Sequence, residues 1–314
     1  MSAMRKTMAG QPAVLRRLVN EVGAIEDAAA KLRDRRTFLV GTGTSWHAAN
    51  QGAFLLRLAG VEAWAIQAAD AALDGPRPGS GDGLILLSHT GANRFTNAVL
   101  DNARRDGAAC VVISGHGVAE ADIETVSQET SSAYTASHLG ALLRLAQLAV
   151  GLGADLGDLE AVPDAVEAAL DSALTIAPPA RGLEFVGGGI NQWTAAEGAL
   201  KVRETSKIFT EGLSIEQLLH GPSVALGPED TLICLDGGGP HSLRLAEFAG
   251  LVRVYGAAVH EISAPDLGEP LSIFPLTLAV QRIALECAEA LGSDPDSFGR
   301  DDPRRRSALA QIEL

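Results

Sequence analysis

Short apolar runs alternate with longer amphipathic stretches along this chain, and this alternation predicts its fold. Phe38-Leu-Val, Leu84-Ile-Leu-Leu-Ser and Cys110-Val-Val-Ile-Ser are continuous apolar runs of strand length. Polar and alanine-rich sequence of helical length separates them. Continuous apolar strands that alternate with amphipathic helices are typical of a parallel sheet covered by helices on both faces. We therefore expect an α/β fold.

The second half of the chain repeats this pattern. Phe185-Val186 runs into a glycine turn as Phe38-Leu-Val does about 147 residues earlier. Leu232-Ile-Cys-Leu-Asp and Val259-His-Glu-Ile-Ser repeat the second and third strands at a similar offset. The sequence thus predicts two tandem domains, over residues 1–155 and 156–314, each a small parallel sheet with helices on both faces.

The two ends of the chain extend this plan. Residues 11–33 are predicted to form one helix that precedes the first strand, so the first domain includes an N-terminal helix. Residues 293–314 are charged, interrupted by proline and mostly aperiodic, which is typical of a frayed tail or of an arm laid over another surface. We expect the second domain to end in this C-terminal arm.

The acidic composition limits the possible partners. A formal net charge of −14 and a pI near 4.9 would repel phosphate backbones and anionic lipid, so we expect no nucleic acid and no membrane as partners. Cys110, Cys234 and Cys287 are far apart and odd in number, which predicts reduced thiols in a cytoplasmic protein. No ligand spacing predicts a metal, and no cofactor is expected.

Two loops rich in hydrogen-bond donors follow the first two predicted strands. They are Gly41-Thr-Gly-Thr-Ser and Ser88-His-Thr-Gly-Ala-Asn. Backbone N–H and hydroxyl groups at the start of a helix can surround an anion. Each loop alone is equally well explained as a tight turn with a helix N-cap, and the two together favour a phosphate. The first loop lacks the third glycine of a dinucleotide-binding motif, which argues against a nicotinamide cofactor.

The densest candidate chemistry lies further along the chain. Glu197, Lys201 and Glu204 are spaced i, i+4 and i+7, so they share one face of a predicted helix. His220 follows in Leu218-Leu-His-Gly-Pro, where a rigid turn fixes an imidazole. From the residues alone, surface ion pairs with a structural histidine are as well supported as an active site.

These segments together resemble the double-SIS family of sugar-phosphate isomerases, which includes the isomerase part of glucosamine-6-phosphate synthase and stand-alone amino-sugar-phosphate deaminases. Residues 196–222 are similar to the family pattern E-G-A-L-K-x-x-E followed by E and by H-G-P. Gly43-Thr-Ser is similar to its G-T-S loop. Residues 88–93 resemble its S-Q-S-G-E-T phosphate loop, with His89 and Ala92 as departures, and residues 129–135 resemble its E-x-x-x-A-x-T segment.

The resemblance implies a role for each candidate residue. Glu204 would carry a proton between C1 and C2 of an open-chain sugar, and His220 would open the sugar ring, reaching the site of a neighbouring subunit. Lys201 and Glu197 would set the charge around them. The residues implied in substrate binding are Gly43, Thr44, Ser45, Ser88, His89, Thr90, Asn93 and Ser132. The family also implies a homodimer with shared active sites.

We therefore expect an aldose–ketose isomerase or deaminase that acts on a phosphorylated amino sugar, such as glucosamine 6-phosphate or galactosamine 6-phosphate, and releases ammonia. Residues 306–314 correspond to an arm that carries a lysine in the family, yet they contain none, and no cysteine before Cys110 could serve glutamine hydrolysis. Departures at His89, Tyr134 and Gln311 keep open a sugar-6-phosphate deglycase of the fructoselysine type. A non-catalytic sugar-phosphate-binding protein also stays open, because SIS domains serve as ligand-binding modules in regulators.

Overall fold

Two parallel sheets organise the chain. The computed structural model describes residues 1–312; the end of the predicted C-terminal arm, Glu313 and Leu314, lies outside the described residues. The strands are β1 (Arg36–Gly41), β2 (Ala63–Gln67), β3 (Asp82–Ser88), β4 (Ala109–Ser114), β5 (Ile123–Glu124), β6 (Leu183–Gly187), β7 (Thr210–Ser214), β8 (Thr231–Asp236) and β9 (Ala258–Ser263). The first sheet has the order β2-β1-β3-β4-β5 and the second the order β7-β6-β8-β9.

Helices connect the strands and precede them. They are α1 (Ala3–Val19), α2 (Gly23–Leu32), α3 (Thr44–Leu58), α4 (Ala68–Leu73), α5 (Arg94–Arg105), α6 (Ala136–Gly151), α7 (Val162–Asp171), α8 (Asn191–Ser206), α9 (Ile215–Leu219), α10 (Ser242–Val254), α11 (Glu269–Ala290) and α12 (Pro303–Leu309). Short 3-10 helices lie at Leu159–Ala161 and Pro222–Ala225. Every strand pair in both sheets is parallel, which confirms the predicted α/β class.

The chain divides into two compact units. The unit that contains the first sheet, called here the first unit, comprises Gly10–Glu129, Tyr134–Glu160 and residues 307–312. The second unit contains the second sheet and comprises Met1–Ala9, Thr130–Ala133 and Ala161–Arg306. The amino end of the chain and a four-residue loop are thus part of the second unit.

The first sheet is covered on both faces. Alternate residues of β1, β3 and β4, such as Phe38, Leu84 and Val112, pack with α4 and α5 in one apolar cluster. Residues of the opposite parity, such as Leu39 and Ile85, are fully buried on the other face, where α2, α3 and α6 contact the strands. This arrangement follows from the period of two in a strand that is buried on both sides.

The second sheet repeats the strand order of the first without its fifth strand. Val186, Leu232 and Cys234 pack with α9 and α10 on one face. On the other face, Phe185 lies against Gly198 of α8, and α8 packs along α11. The match in strand order reflects the repeat that is visible in the sequence.

The predicted helix over residues 11–33 is wrong in its extent. Two helices, α1 and α2, replace it, and α1 begins earlier, at Ala3. Buried polar groups on α6 explain the break: Arg144 donates to the carbonyl oxygens of Leu18 and Glu21 at 2.9 and 2.8 Å. Gln147 donates to the carbonyl oxygens of Leu18 and Val19, both at 3.1 Å. These donors bind the last carbonyls of α1, which the helix itself leaves unpaired.

Helix α11 is the long apolar element of the second unit. Among the described residues it alone is long and apolar enough, by length and composition, to cross a membrane. Within its most apolar window, 89% of the residues are buried inside the protein, which is the burial of a core helix. Pro275 lies inside this helix without ending it.

Glu184 on β6 carries a carboxyl group with little access to water. Its Oε2 atom is buried and has no hydrogen-bond partner among residues 1–312, and Glu211 stands beside it in the register of β6 and β7. Burial, together with the charges of Glu211 and Asp230, raises the pKa of Glu184 to about 7.

Glu184→Gln is expected to remove part of the pH dependence of stability. Because the folded pKa lies above the ordinary value of 4.5, the free energy of unfolding of the unmodified protein should fall as the pH rises from about 5 to about 8. The variant should lack about 1 kcal/mol of this decrease, once partial exposure of the carboxyl is taken into account. Urea unfolding at both pH values measures the difference. Glu211→Gln should reduce the same decrease, and an identical pH dependence in all three proteins would contradict this account.

Candidate active site

Helix α8 is held in place along its length and at both ends. Gly198 and Gly212 permit the close approach, because a methyl group at Gly198 would collide with Phe185 and one at Gly212 would overlap the backbone of α8. At its start, Asn191 donates to Ser272 Oγ of α11 at 2.9 Å. At its end, Thr205 donates through its hydroxyl to the carbonyl oxygen of Ala284, at 3.0 Å. The side chains of α8 therefore project from a fixed backbone.

The structure brings Glu197, Lys201 and Glu204 together on one face of α8. Lys201 Nζ donates to Glu204 Oε2 at 2.6 Å and lies 3.5 Å from Glu197 Oε1. The side chains of Lys201 and Glu197 are 1% and 0% exposed. A buried ammonium is stable only when carboxylates and hydrogen bonds surround it, so this arrangement is a built charge cluster and not surface decoration.

Glu204 is the accessible member of this cluster. Its side chain is 12% exposed, whereas that of Lys201 is 1% exposed. A group that exchanges a proton with a bound molecule must reach that molecule. The exposure therefore separates Glu204, which can contact a ligand, from Glu197 and Lys201, which can act only through it.

His220 lies apart from the buried charges of α8, at the end of α9. Its side chain is 77% exposed, and its Nε2 atom lies 3.2 Å from Glu216 Oε2. Glu216 is also paired with Arg244, whose Nε lies 2.6 Å from Oε1. The imidazole is thus presented on the surface of the second unit.

The loop between β1 and α3 has the geometry of a tight strand-to-helix turn. A methyl group at Gly41 would overlap the carbonyl oxygen of Ser45, so the first turn of α3 lies directly against the strand end. Gly43 has φ of +57° and precedes the helix, a conformation that favours glycine. Thr44 and Ser45 form the first, half-buried turn of α3, whose N–H groups are at the positive end of the helix.

The loop between β3 and α5 leaves the same edge of the same sheet, because β1 and β3 are parallel neighbours. Ser88 is buried, and its carbonyl oxygen accepts a hydrogen bond from the Ser114 hydroxyl. Asn93 is the N-cap of α5: its Oδ1 accepts from the N–H groups of Phe95 and Thr96, both at 3.1 Å. Thr90 Oγ1 accepts from the Ala92 N–H at 3.3 Å. The Asn93 oxygen is therefore already used within the loop.

His89 is the first residue of this loop, and its side chain is largely buried. Both ring nitrogens are buried without a hydrogen-bond partner among the described residues, and the ring stands edge-on to Tyr134 with centroids 5.2 Å apart. Burial lowers the pKa of His89, against the opposing charge of Glu129. A neutral imidazole at the end of β3 can donate one hydrogen bond from one ring nitrogen and accept one at the other.

Ser132 belongs to the loop that is part of the second unit. Its N–H donates to the carbonyl oxygen of Asp296 at 3.2 Å. The carboxylate of Asp296 accepts from the N–H groups of Ala3 and Met4, at 2.7 and 2.9 Å. Asp296 thus binds both the Ser132 loop and the first turn of α1.

The corresponding loops of the second sheet are built differently. A methyl group at Gly189 or Gly239 would collide with the carboxyl group of Glu269, so this carboxyl lies against both loops. Asp236 Oδ1 accepts from the Gly238 N–H at 2.9 Å and from the Ser242 hydroxyl at 2.6 Å. Burial raises the pKa of Glu269. At the carboxyl ends of its strands the second sheet therefore carries carboxylates, whereas the first sheet carries hydroxyl and N–H groups there.

No three side chains of His, Cys, Asp or Glu in the range 1–312 are grouped so as to hold a metal ion. The cysteines Cys110, Cys234 and Cys287 are unpaired. Burial raises the pKa of Cys287 to about 11, so this thiol is unreactive.

Comparison with known proteins identifies the first sheet. Residues 32–141 match the model of the SIS domain family. This part of the chain is a SIS domain. The match ends before the second sheet, which begins at Leu183. The predicted tandem of two SIS domains is thus supported for one of them, and the second stays a prediction.

Curated relatives of this chain are glutamine–fructose-6-phosphate aminotransferases (isomerizing). The protein from Thermococcus kodakarensis is 26% identical over 269 residues, which cover 73% of this chain and 44% of the relative. The protein from Aquifex aeolicus is 26% identical over 349 residues, which cover 99% of this chain and 58% of the relative. The chain spans about half the length of the curated relatives it matches.

Solved structures share the fold. Tagatose-6-phosphate ketose/aldose isomerase from Escherichia coli matches with a TM-score of 0.81 at 18% identity, covering 95% of both chains. Glucosamine-6-phosphate deaminase from Thermotoga maritima matches with a TM-score of 0.76 at 20% identity, covering 94% of this chain and 97% of that one. At these identities the likeness concerns the fold.

Glu129, a polar residue within the matched range, was given no role from the sequence. Glu129 caps α6: its carboxylate accepts from the N–H groups of Thr135, Ala136 and Ser137, at 3.0, 3.3 and 2.8 Å. The E-x-x-x-A-x-T segment carried this signal, because a carboxylate before a helix is favoured by the helix dipole. Glu129 therefore fixes the start of α6, just after Tyr134, whose ring contacts His89.

Lys201→Met is expected to destabilise the protein by about 3–5 kcal/mol at pH 7, because buried carboxylates would lose their ammonium partner. The loss should be smaller at pH 5, where protonation can neutralise a carboxyl group. Urea unfolding at the two pH values measures both effects.

Lys207→Met serves as the matched control. Lys207 follows the same helix and is exposed, so its loss should cost less than about 1 kcal/mol. Equal effects of the two substitutions would contradict the buried charge cluster.

Proposed function

We propose that this chain is a sugar-phosphate isomerase, and more specifically an aldose–ketose isomerase and deaminase for a phosphorylated amino sugar. Glucosamine 6-phosphate and galactosamine 6-phosphate are the candidate substrates, with ammonia as a product. The observation that carries the proposal is the partly exposed Glu204 carboxylate, held on a fully buried Lys201. The SIS match and the named activities of the relatives support the same class.

Proton transfer is assigned to Glu204. Its carboxylate would remove the proton from C2 of an open-chain 2-amino aldose phosphate and return it to C1. O1 gains a proton as the C2 amine loses one and becomes an imine; water then adds to C2, and ammonia leaves to give the ketose phosphate. Lys201 keeps the carboxylate ionised and oriented, since its ammonium donates to Oε2 at 2.6 Å.

Phosphate binding is assigned to the two loops of the first sheet, at Gly43, Thr44, Ser45, Ser88 and Thr90. This assignment is supported by the neutral donors at both strand ends, which suit an anion in a chain whose net charge is −14. The second sheet is a poor phosphate site, because Asp236 and Glu269 fill the corresponding loops. One phosphate per chain follows from this difference. His89, Asn93 and Ser132 are proposed to contact the sugar.

Glu204→Gln is expected to abolish ammonia release from glucosamine 6-phosphate, with kcat lowered at least about a hundredfold. The melting temperature should fall, because Lys201 loses one carboxylate, but Glu197 remains as its partner, so kcat is measured below the unfolding transition. A coupled ammonia assay with glucosamine 6-phosphate and galactosamine 6-phosphate measures this. Amadori-type sugar 6-phosphates are included, because turnover of these compounds alone would assign the deglycase alternative.

Glu229→Gln is the matched control, since Glu229 is an exposed carboxylate of the second unit that lies outside the matched family segments. It should keep full activity. Absence of turnover of every sugar phosphate by the unmodified protein, despite binding of these compounds, would overturn the enzymatic proposal and leave a binding protein.

We further propose a cytoplasmic homodimer in which His220 serves the site of the other subunit. The 77% exposure of the His220 side chain supports this assignment, because an exposed imidazole is accessible to a substrate bound by another subunit.

Mixing inactive Glu204→Gln and His220→Ala proteins is therefore expected to restore activity, to about a quarter of the unmodified level for random exchange of subunits. Recovery of ammonia release after mixing measures it. If the mixture stays inactive while sedimentation shows exchanged dimers, each subunit uses its own histidine.

A further inference from the structure

The two sheets differ at one outer edge. In the first sheet β4 is covered by the short strand β5, whereas in the second sheet β9 ends the order β7-β6-β8-β9. An uncovered parallel edge presents backbone N–H and C=O groups that another strand can bind. In the first sheet, β5 shows which kind of segment can pair with such an edge.

The contacts of β5 define this example. Ile113 and Ser114 of β4 pair with Ile123 and Glu124. The flanking residue Asp122 bonds Val112 twice: its N–H donates to the Val112 carbonyl oxygen at 3.0 Å, and its Oδ2 accepts from the Val112 N–H at 2.8 Å. The Ile123 side chain is buried. A short parallel segment with one aliphatic side chain thus completes the first sheet.

The strand registers identify the corresponding place in the second sheet. Ser114 pairs with Ser88 at the end of β3, and Ser263 pairs with Asp236 at the end of β8. Glu261 and Ser263 are therefore the counterparts of Val112 and Ser114. Within the part of the chain that the structure describes, no hydrogen bond reaches the outward N–H or C=O groups of Glu261 and Ser263.

A groove of about 410 Å³ lies at this place. Residues 261–264 form one wall, Ala165 and Ala168 of α7 form a second, and Pro275 and Ala279 of α11 form a third. Small side chains on both helices leave room for an aliphatic side chain, in the position that corresponds to Ile123. The groove and the open edge thus coincide.

The charge around the groove is negative. Glu261 and Asp266 line it. Glu261 is paired with Arg253, so Asp266 supplies the net negative charge. A carboxylate on an edge strand discourages a second acidic segment and favours a basic one.

We propose that the edge of β9 binds an extended segment of a partner protein, running parallel to β9 with an aliphatic side chain in the alanine-lined groove and a basic side chain beside Glu261 or Asp266. The occupant adds a fifth strand to the second sheet. Backbone hydrogen bonds supply affinity and the groove supplies selectivity for a small aliphatic residue.

A labelled nonapeptide with the sequence of residues 119–127, in which lysine replaces Glu120 and Glu124, is the probe. Fluorescence anisotropy should show saturable binding, and amide exchange at Glu261 and Ser263 should slow in its presence. Ala168→Phe fills the groove and should weaken binding at least about tenfold. Ala173→Phe, at an exposed position outside the groove, is the matched control and should bind as the unmodified protein does.

A peptide with proline in place of Ile123 should not bind, because it can neither pair nor fill the groove. Equal binding of this peptide, equal binding by the Ala168→Phe protein, or no binding at about 1 mM probe would each overturn the proposal. Sedimentation supplies a separate check: a dimer that dissociates with Ala168→Phe but persists with Ala173→Phe would identify a second copy of this chain as the occupant and also overturn it.

Discussion

The buried ammonium group of Lys201 is the interaction on which the arrangement of helix α8 depends. An ammonium that is 1% exposed requires carboxylates at hydrogen-bond distance, and Glu197 and Glu204 supply them from the same helix. Their spacing works only if α8 keeps its helical repeat and its position. Close approach at Gly198 and Gly212, together with the hydroxyl bonds of Thr205 to α11, provides that rigidity. Glu204 is consequently oriented by its neighbours rather than by a ligand.

The two sheets share a strand order, yet their strand ends have opposite chemistry. Gly41 and Gly187 both allow a helix to begin directly against a strand. After that turn the first sheet offers Thr44 and Ser45, and the second sheet carries Asp236 and Glu269 near the corresponding loops. An anion is stabilised by neutral hydrogen-bond donors and destabilised by nearby carboxylates. The two sheets therefore share a strand order but differ in the chemical groups at their strand ends.

Much of the fold could be predicted from the sequence because the central strands are buried on both faces. β1, β3, β4, β6 and β8 appear as apolar runs. The strands β2 and β7 were missed because they lie at sheet edges, where partial exposure permits mixed sequences such as Ala63-Trp-Ala-Ile-Gln. The break between α1 and α2 was also missed, since the donors that cause it, Arg144 and Gln147, lie far away in sequence.

For the candidate site, helical spacing was sufficient to group Glu197, Lys201 and Glu204, because i+4 and i+7 positions share a face wherever a helix forms. Spacing could not reveal that only Glu204 is accessible, as burial depends on α11 and β7. The capping role of Asn93 and the divergent acidic loops of the second sheet likewise depend on contacts that the chain makes only after folding.

The clamp at Asp296 has a consequence for biosynthesis. This carboxylate receives the first turn of α1, which places Met1–Ala9 with residues 161–306. On the ribosome this turn emerges almost three hundred residues before its partner Asp296 is translated. Met4 and Met8, which are buried in the folded protein, therefore lack this partner in the nascent chain until Asp296 has been translated. A chaperone that binds short apolar segments would find its target there during that interval.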